Sequence, residues 1–179
     1  MTLKIRTASS GEIPTVIELW EASVRSSHHF ITESDISDYR QLLREVYLPS
    51  TKIYCLVNQS IILGFIGISA RTITQLFIHP FHFRQGLGAI LLDFAIHQKG
   101  ATQVAVNEQN NNAYHFYKTR GFQVTQRFTH DGAGKAYPVL AMSRKPSEKM
   151  SPLRWLCADW FNFLEPDGFS VTIPDVVTG

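Results

Sequence analysis

A chain of 179 residues, of which 44% are hydrophobic, is long enough to form one globular domain with a sizeable core. Its formal net charge of +2, without any run of Lys or Arg, argues against a nucleic-acid-binding protein. The two cysteines, Cys55 and Cys157, lie far apart without metal-ligand spacing, which favours buried thiols in a reducing compartment. Since no membrane-spanning apolar run or signal-peptide core occurs, we expect a soluble, cytoplasmic protein.

The hydrophobic pattern predicts a chain of alternating strands and helices. In chain order it predicts a strand at 3–7, a helix opened by a capping box at 9–12, a helix at 34–47, strands at 52–57, 61–68 and 72–78, a helix from about 86, a strand at 102–106, a helix at 114–120, and strands at 122–128 and 137–142. The segment at 26–30 is predicted to be a loop. Gly64 and Gly67, inside a strand, indicate close backbone approach or a bulge.

The stretch from Gln75 to Leu92 combines a strand, a short loop and a helix N-terminus, which together favour an anion site. The first N–H groups of a helix have no partner inside it, and Gly86 and Gly88 let the backbone approach a phosphate closely. Taken alone, this glycine pair is explained equally well as a tight turn. Leu91 stands where a dinucleotide motif would need its third glycine, and no P-loop pattern occurs.

A second motif lies downstream, in the segment NNNAYHFYKTRGF from Asn110 to Phe122. The LFIHP strand end followed by Gly86-x-Gly88 resembles the pyrophosphate loop of the GCN5-related N-acetyltransferases, the GNAT family. The downstream segment resembles that family's N-x-x-A-x-x-x-Y-x-x-x-G-F pattern. The two blocks occur in the family's order and at its spacing. A bacterial subgroup is more similar still, through SHHF at 27–30 and VNEQN at 106–110, which implies a bacterial source.

The resemblance implies an α/β (α+β) fold, with a mixed, mostly antiparallel sheet of about six or seven strands and helices on both faces. It places the cofactor cleft between the strands at 72–78 and 102–107. Residues 1–145 are predicted to form the acetyltransferase domain, and 146–179 a C-terminal extension. The extension carries a predicted amphipathic helix at about 152–164, which packs on the domain or makes a homodimer contact.

The resemblance implies that acetyl-CoA is the co-substrate, that no metal is used, and that a primary amine attacks the thioester directly in a ternary complex. Backbone N–H groups near Phe77 and Ile78 would bind the pantetheine arm and polarise the thioester carbonyl. The remaining cofactor-binding residues implied are Arg84, Gln85, Gly86, Leu87, Gly88, Ala89, Asn110 and Tyr117. One position departs from the family pattern, since Phe83 stands where the loop usually begins with Arg or Gln.

Tyr117 matches the family residue that acts as general acid on the leaving thiolate. A free tyrosine has a pKa of about 10 and a thiol about 8.5, so full proton transfer is uphill by roughly 2 kcal/mol. Hydrogen-bond stabilisation of the thiolate is therefore an equal alternative. For the general base, Glu108 and His28 rank ahead of His29 and His79, and water is a further alternative.

Two other functions remain open at this point: a non-catalytic acyl-CoA-binding module, and a GNAT toxin that acetylates aminoacyl-tRNA. The near-neutral charge disfavours the toxin, and the intact Tyr117 favours the enzyme. The sequence leaves the acceptor open among small-molecule, peptide and protein amines, because loops build that pocket.

Overall fold

The computed structural model describes residues 2–145 and 169–172. Its helices and strands are β1 (Thr2–Thr7), α1 (Ile13–Ser27), α2 (Glu33–Leu42), β2 (Lys52–Asn58), β3 (Ile61–Ser69), β4 (Thr72–Ile78), α3 (Leu87–Lys99), β5 (Gln103–Asn107), α4 (Asn111–Lys118), β6 (Gln123–Phe128), β7 (Val139–Ser143) and β8 (Phe169–Thr172). Every element predicted between residues 3 and 142 is present, with ends shifted by a few residues. The helix predicted at about 152–164 lies outside the described residues.

The first two helices begin and end where the local sequence predicts. The Glu12 carboxylate accepts hydrogen bonds from the backbone N–H (2.9 Å) and the hydroxyl (2.8 Å) of Ser9, which closes the predicted capping box before α1. Thr32 caps α2 by accepting the N–H of Asp35 at 3.2 Å. The predicted helix at 34–47 is present, but its last turn, Leu43–Tyr47, is a π-helix.

The strands form one sheet in the order β6-β7-β5-β4-β3-β2-β1-β8, in which only the β4–β5 pair is parallel. The prediction of a mixed, mostly antiparallel sheet is therefore confirmed. Seven strands come from residues 2–145, as predicted. The eighth, β8, was not predicted, and it pairs with β1 from Thr2↔Thr172 to Ile5↔Phe169.

β4 and β5 separate soon after they meet. Their pairing is limited to Thr72↔Gln103 and Ile73↔Val104, although β4 runs on to Ile78 and β5 to Asn107. Beyond Ile73, the backbone groups of β4 that face β5 are without a strand partner. The resulting opening, called here the β4–β5 gap, is the cleft that the sequence resemblance implies.

Apolar residues cover both faces of the sheet. Strand β2 shows how, because Tyr54 and Leu56 join the core under α3 while Cys55 and Val57 join the core under α1 and α2. Cys55 is a buried free thiol, as predicted. A Cβ at Gly64 would lie 2.8 Å from the carbonyl oxygen of Phe77, which confirms the predicted close approach of β3 to β4. Among the described residues, no helix is long and apolar enough to cross a membrane.

Candidate active site

Three adjacent cavities follow the β4–β5 gap and share lining residues. The loop cavity, of about 580 Å³, lies over residues 82–89 and one side of α4. The gap cavity, of about 190 Å³, lies between β4 and β5. The α2 cavity, of about 260 Å³, is bounded by α1, α2 and the 131–133 loop. His28 and Phe77 line all three, so the cavities form one groove through the sheet.

The loop before α3 has the backbone of an anion site. Gly86, the N-cap residue, has φ +80°, a left-handed conformation that glycine adopts without steric cost. Arg84 has φ +63°, which is unusual for a residue with a side chain and is typical of backbone held in place at functional sites. Left-handed residues alternating along such a loop turn successive N–H groups towards one concavity. The N–H groups of the first turn of α3 add to it.

The lining of the loop cavity is cationic. Arg84 and Arg120 contribute to it, and no Asp or Glu among the described residues does. The guanidinium of Arg120 lies 4.3 Å from the ring centre of Phe116 and donates to the Phe116 carbonyl at 3.4 Å, which holds it in place. Guanidinium groups are favourable partners for phosphate oxygens. The cavity therefore fits an anionic ligand with several phosphates.

Most of the expected cofactor-binding residues line this cavity. They are Phe77, Ile78, Arg84, Gly86, Leu87, Gly88, Ala89, Asn110 and Tyr117. Gln85 is the exception, and its side-chain amide donates to the carbonyl of Phe81 at 3.1 Å. Phe83 lines the cavity as well and packs against the core under α3, so its ring takes the place of a polar side chain there.

Tyr117 stands where the loop and gap cavities meet. Its side chain is only 5% exposed and makes edge contacts with the rings of Phe116 and Phe122. Burial raises the pKa of this tyrosine above its ordinary value. The hydroxyl therefore keeps its proton at neutral pH and can act as a hydrogen-bond donor in the groove.

A hydrogen-bond chain crosses the groove between α1 and α4. Asn110 caps α4 by accepting the N–H of Ala113 on Oδ1 at 3.0 Å, so its Nδ2 donates to His28 Nε2 at 3.1 Å. The proton of the neutral imidazole must then lie on Nδ1, which donates to Ser27 Oγ at 2.8 Å. Ser27 Oγ in turn donates to the Ser23 carbonyl at 2.6 Å. Burial, with the nearby His29, lowers the pKa of His28 to about 4.

Of the four candidate bases, the structure brings only His28 into the groove. Glu108 forms a two-pronged ion pair with Arg127, with oxygen–nitrogen distances of 2.8 and 2.7 Å, and this pair lowers the pKa of the carboxyl. Glu108, His29 and His79 line none of the three cavities. His79 instead caps the 80–82 turn, where its Nδ1 accepts the N–H of Phe81 at 3.4 Å.

Several residues of the groove had not been singled out from the sequence. Arg120 follows Tyr117 by three positions, so the motif itself offered a signal for it. Tyr39, Tyr47 and Asp131 line the α2 cavity. No local signal distinguishes these three, because they come from a helix, a π-helical turn and a distant loop.

Comparison with known proteins agrees with this geometry. The family model described as "Acetyltransferase (GNAT) domain" matches residues 21–134. The chain is 33% identical over 141 residues to the peptidyl-lysine N-acetyltransferase YjaB of Salmonella typhimurium. The aligned region covers 78% of this chain and 97% of the relative. The solution structure of apo YjaB from Escherichia coli superposes with a TM-score of 0.74 at 31% identity, over 82% of this chain and 100% of that one.

YncA from Salmonella typhimurium, solved with its cofactor acetyl-CoA, shares the fold, with a TM-score of 0.58, 17% identity, and coverage of 84% of this chain and 97% of that one. The family model and the superposition on YjaB define the class of this protein as an acyltransferase. Within that class, this chain belongs to the GNAT family. It is an acetyl-CoA-dependent N-acetyltransferase. In the described residues, no group of three or more His, Cys, Asp or Glu could hold a metal ion.

Proposed function

We propose that this enzyme acetylates the ε-amine of a lysine in a protein or peptide, by direct attack on acetyl-CoA in a ternary complex. The observation that carries the proposal is the groove itself, in which His28 and Phe77 line both the cationic loop cavity and the α2 cavity. Two substrates entering from opposite ends would meet in the β4–β5 gap. The relatives YjaB and YiaC, both named peptidyl-lysine N-acetyltransferases, support lysine as the acceptor.

The cofactor would lie along the loop cavity and the edge of β4. The N–H groups of Gly86, Leu87 and Gly88 would bind the pyrophosphate, with Arg84 close by, whereas the N–H of Ala89 donates to the Gly86 carbonyl at 3.0 Å. Backbone N–H groups of β4 near Phe77 and Ile78 that face the gap would bind the pantetheine arm. Donors at this place would also stabilise the oxyanion that forms when the amine attacks the thioester carbonyl.

Tyr117 is the residue proposed to assist the leaving group. The amine nitrogen bonds to the carbonyl carbon, the carbon–sulfur bond breaks, and the electron pair leaves with the sulfur. The raised pKa of Tyr117 opposes complete proton transfer to the thiolate. A hydrogen bond from the Tyr117 hydroxyl to the thiolate therefore agrees best with the burial of this side chain.

The acceptor proton has to be removed, since a lysine with a pKa of about 10.4 is only on the order of 0.1% deprotonated at pH 7.4. We infer that His28 Nε2 receives this proton after the Asn110 amide turns from His28 to the cofactor. Losing that donor would leave the Nε2 lone pair facing the groove. Glu108 is the second candidate, and it would first have to leave its pair with Arg127.

The bacterial relatives support a bacterial source, and the buried free thiol of Cys55 is compatible with a cytoplasmic location. A domain boundary at about residue 145 and homodimer formation stay predictions. So do the absence of membrane contacts and of nucleic-acid binding.

The test is an acetyl-CoA assay with three matched acceptors: a lysine peptide blocked at its N-terminus, the same peptide with arginine for lysine, and an unblocked lysine-free peptide. We expect CoA release only with the first, and mass spectrometry should locate the acetyl group on the lysine. Turnover of the α-amine alone would overturn the lysine assignment. A His28 base whose pKa is lowered to about 4 should give a pH–rate inflection towards pH 4, well below 6.5, and an inflection that His28→Gln leaves unchanged would exclude His28 as the base.

A further inference from the structure

The α2 cavity contains one fixed carboxylate, that of Asp131. Its Oδ1 accepts the backbone N–H groups of Ala133 and Lys135, each at 2.9 Å. The hydroxyl of Tyr39 donates to the other oxygen. Three donors from two segments therefore hold this carboxylate in one orientation on the cavity wall.

The rest of the cavity suits a long alkyl chain that ends in a cation. Aromatic side chains of Trp20, Tyr39, Tyr47 and Phe77 line it, and such rings favour both methylene groups and positive charge. Asp131 is the only Asp, Glu, Lys or Arg among the described residues that line it. An anionic acceptor would place a second negative charge beside the Asp131 carboxylate, and the repulsion between the two would lower its affinity.

The surroundings of the cavity are negative as well. Lys135 pairs with both Asp35 and Asp38 of α2, and its backbone N–H donates to Asp131, so these four side chains together carry a net charge of −2. The loop cavity at the other end of the groove is cationic. This opposite polarity would attract the phosphates of CoA to one end and a basic segment to the other.

We propose that Asp131, held by Tyr39, is the specificity-determining residue that admits acceptors in their positively charged form, so that a protonated lysine side chain within a basic segment enters the α2 cavity before it loses its proton. The inference rests on the proposed lysine acceptor and names the group that recognises it. Charge, rather than the reacting amine itself, would then decide which side chains enter.

The test uses two unreactive peptides, which separate recognition from catalysis. One carries trimethyl-lysine, a permanent cation without a transferable proton, and the other carries norleucine, which is neutral. In calorimetric titrations of the CoA-saturated enzyme, we expect the trimethyl-lysine peptide to bind about tenfold more tightly or better. Asp131→Asn should remove this preference, because it removes the charge while its Oδ1 still accepts the N–H groups of Ala133 and Lys135.

Glu45→Gln is the matched control. Glu45 lies on the same π-helical turn as Tyr47, is exposed and lines none of the three cavities. This variant should keep the full preference. Tyr39→Phe removes one hydrogen-bond donor to Asp131 and should lose part of the preference for the trimethyl-lysine peptide. This variant provides a second test if Asp131→Asn does not fold.

Equal binding of the two peptides to the wild-type enzyme, or an undiminished preference in folded Asp131→Asn, would overturn the inference. Neither result depends on turnover. A charge preference without lysine acetylation would overturn the proposed function alone, and acetylation without a charge preference would overturn only the role of Asp131.

Discussion

Removal of the Tyr117 hydroxyl tests whether this side chain serves chemistry or packing. The ring is buried against Phe116 and Phe122, and a phenylalanine keeps those contacts. Tyr117→Phe therefore deletes one hydrogen-bond donor at the junction of the loop and gap cavities and leaves the ring packing in place.

The expected size follows from the bond that would be lost. A hydrogen bond to a charged group contributes about 1.5–3 kcal/mol, and each 1.36 kcal/mol of activation free energy is a factor of ten in rate. Because the thiolate charge develops only in the transition state, the loss should appear in kcat, which falls about tenfold or more, while the KM for acetyl-CoA changes little.

The assay is initial-rate kinetics with a lysine peptide, together with thermal unfolding of each variant. Tyr114→Phe is the matched control, since Tyr114 lies on the same helix and lines none of the three cavities. An unchanged kcat in Tyr117→Phe would remove the hydroxyl from the mechanism. An equal fall in kcat for Tyr114→Phe would show that the effect comes from α4 and not from the thiolate contact.

Three further perturbations follow from the structure. Burial lowers the pKa of His28 to about 4 in the folded protein, so as pH falls below 6.5 the unfolded chain gains a proton that the folded protein does not. The free energy of unfolding should therefore fall by about 3 kcal/mol between pH 6.5 and pH 4. Urea unfolding of His28→Gln should lack this fall. Arg120→Gln should weaken the calorimetric affinity for CoA, because it removes a guanidinium from the loop cavity, whereas an unchanged affinity would exclude Arg120 from phosphate binding. Gly64→Ala should lower the free energy of unfolding by about 1–3 kcal/mol, because its Cβ would lie 2.8 Å from the Phe77 carbonyl oxygen. Gly11→Ala, with open space around it, should change that free energy by under about 0.5 kcal/mol.

Elements with strong local signals could be predicted from the sequence closely. Glu12 and Ser9 close the capping box, Asn110 caps α4, and Gly86 stands at the left-handed N-cap of α3. Each feature is completed within a few residues of the chain, so the residue types alone define it. Strand β8 could not be predicted this way, because its pairing with β1 joins two distant parts of the chain.

The same distinction between local and long-range information applies to the candidate site. The cofactor half follows from two short motifs, and nine of its ten expected residues line the loop cavity. The candidate base does not follow from the sequence, which ranks Glu108 with His28, because the pairing of Glu108 with Arg127, 19 residues away, appears only in the fold. A base has to be accessible as well as titratable, and accessibility depends on which side chains surround it.

The sequence by itself determined the family of this protein, the glycine loop before α3 and the position of Tyr117, because two short motifs carry that information. Only the tertiary structure decided that His28 meets Asn110 across 82 residues and that Tyr39 meets Asp131 across 92. The physical reason is that sheet register, the separation of β4 from β5 and loop closure place these side chains together. Sheet register, strand separation and loop closure each bring together residues that are distant in the chain, so no local sequence pattern shows them.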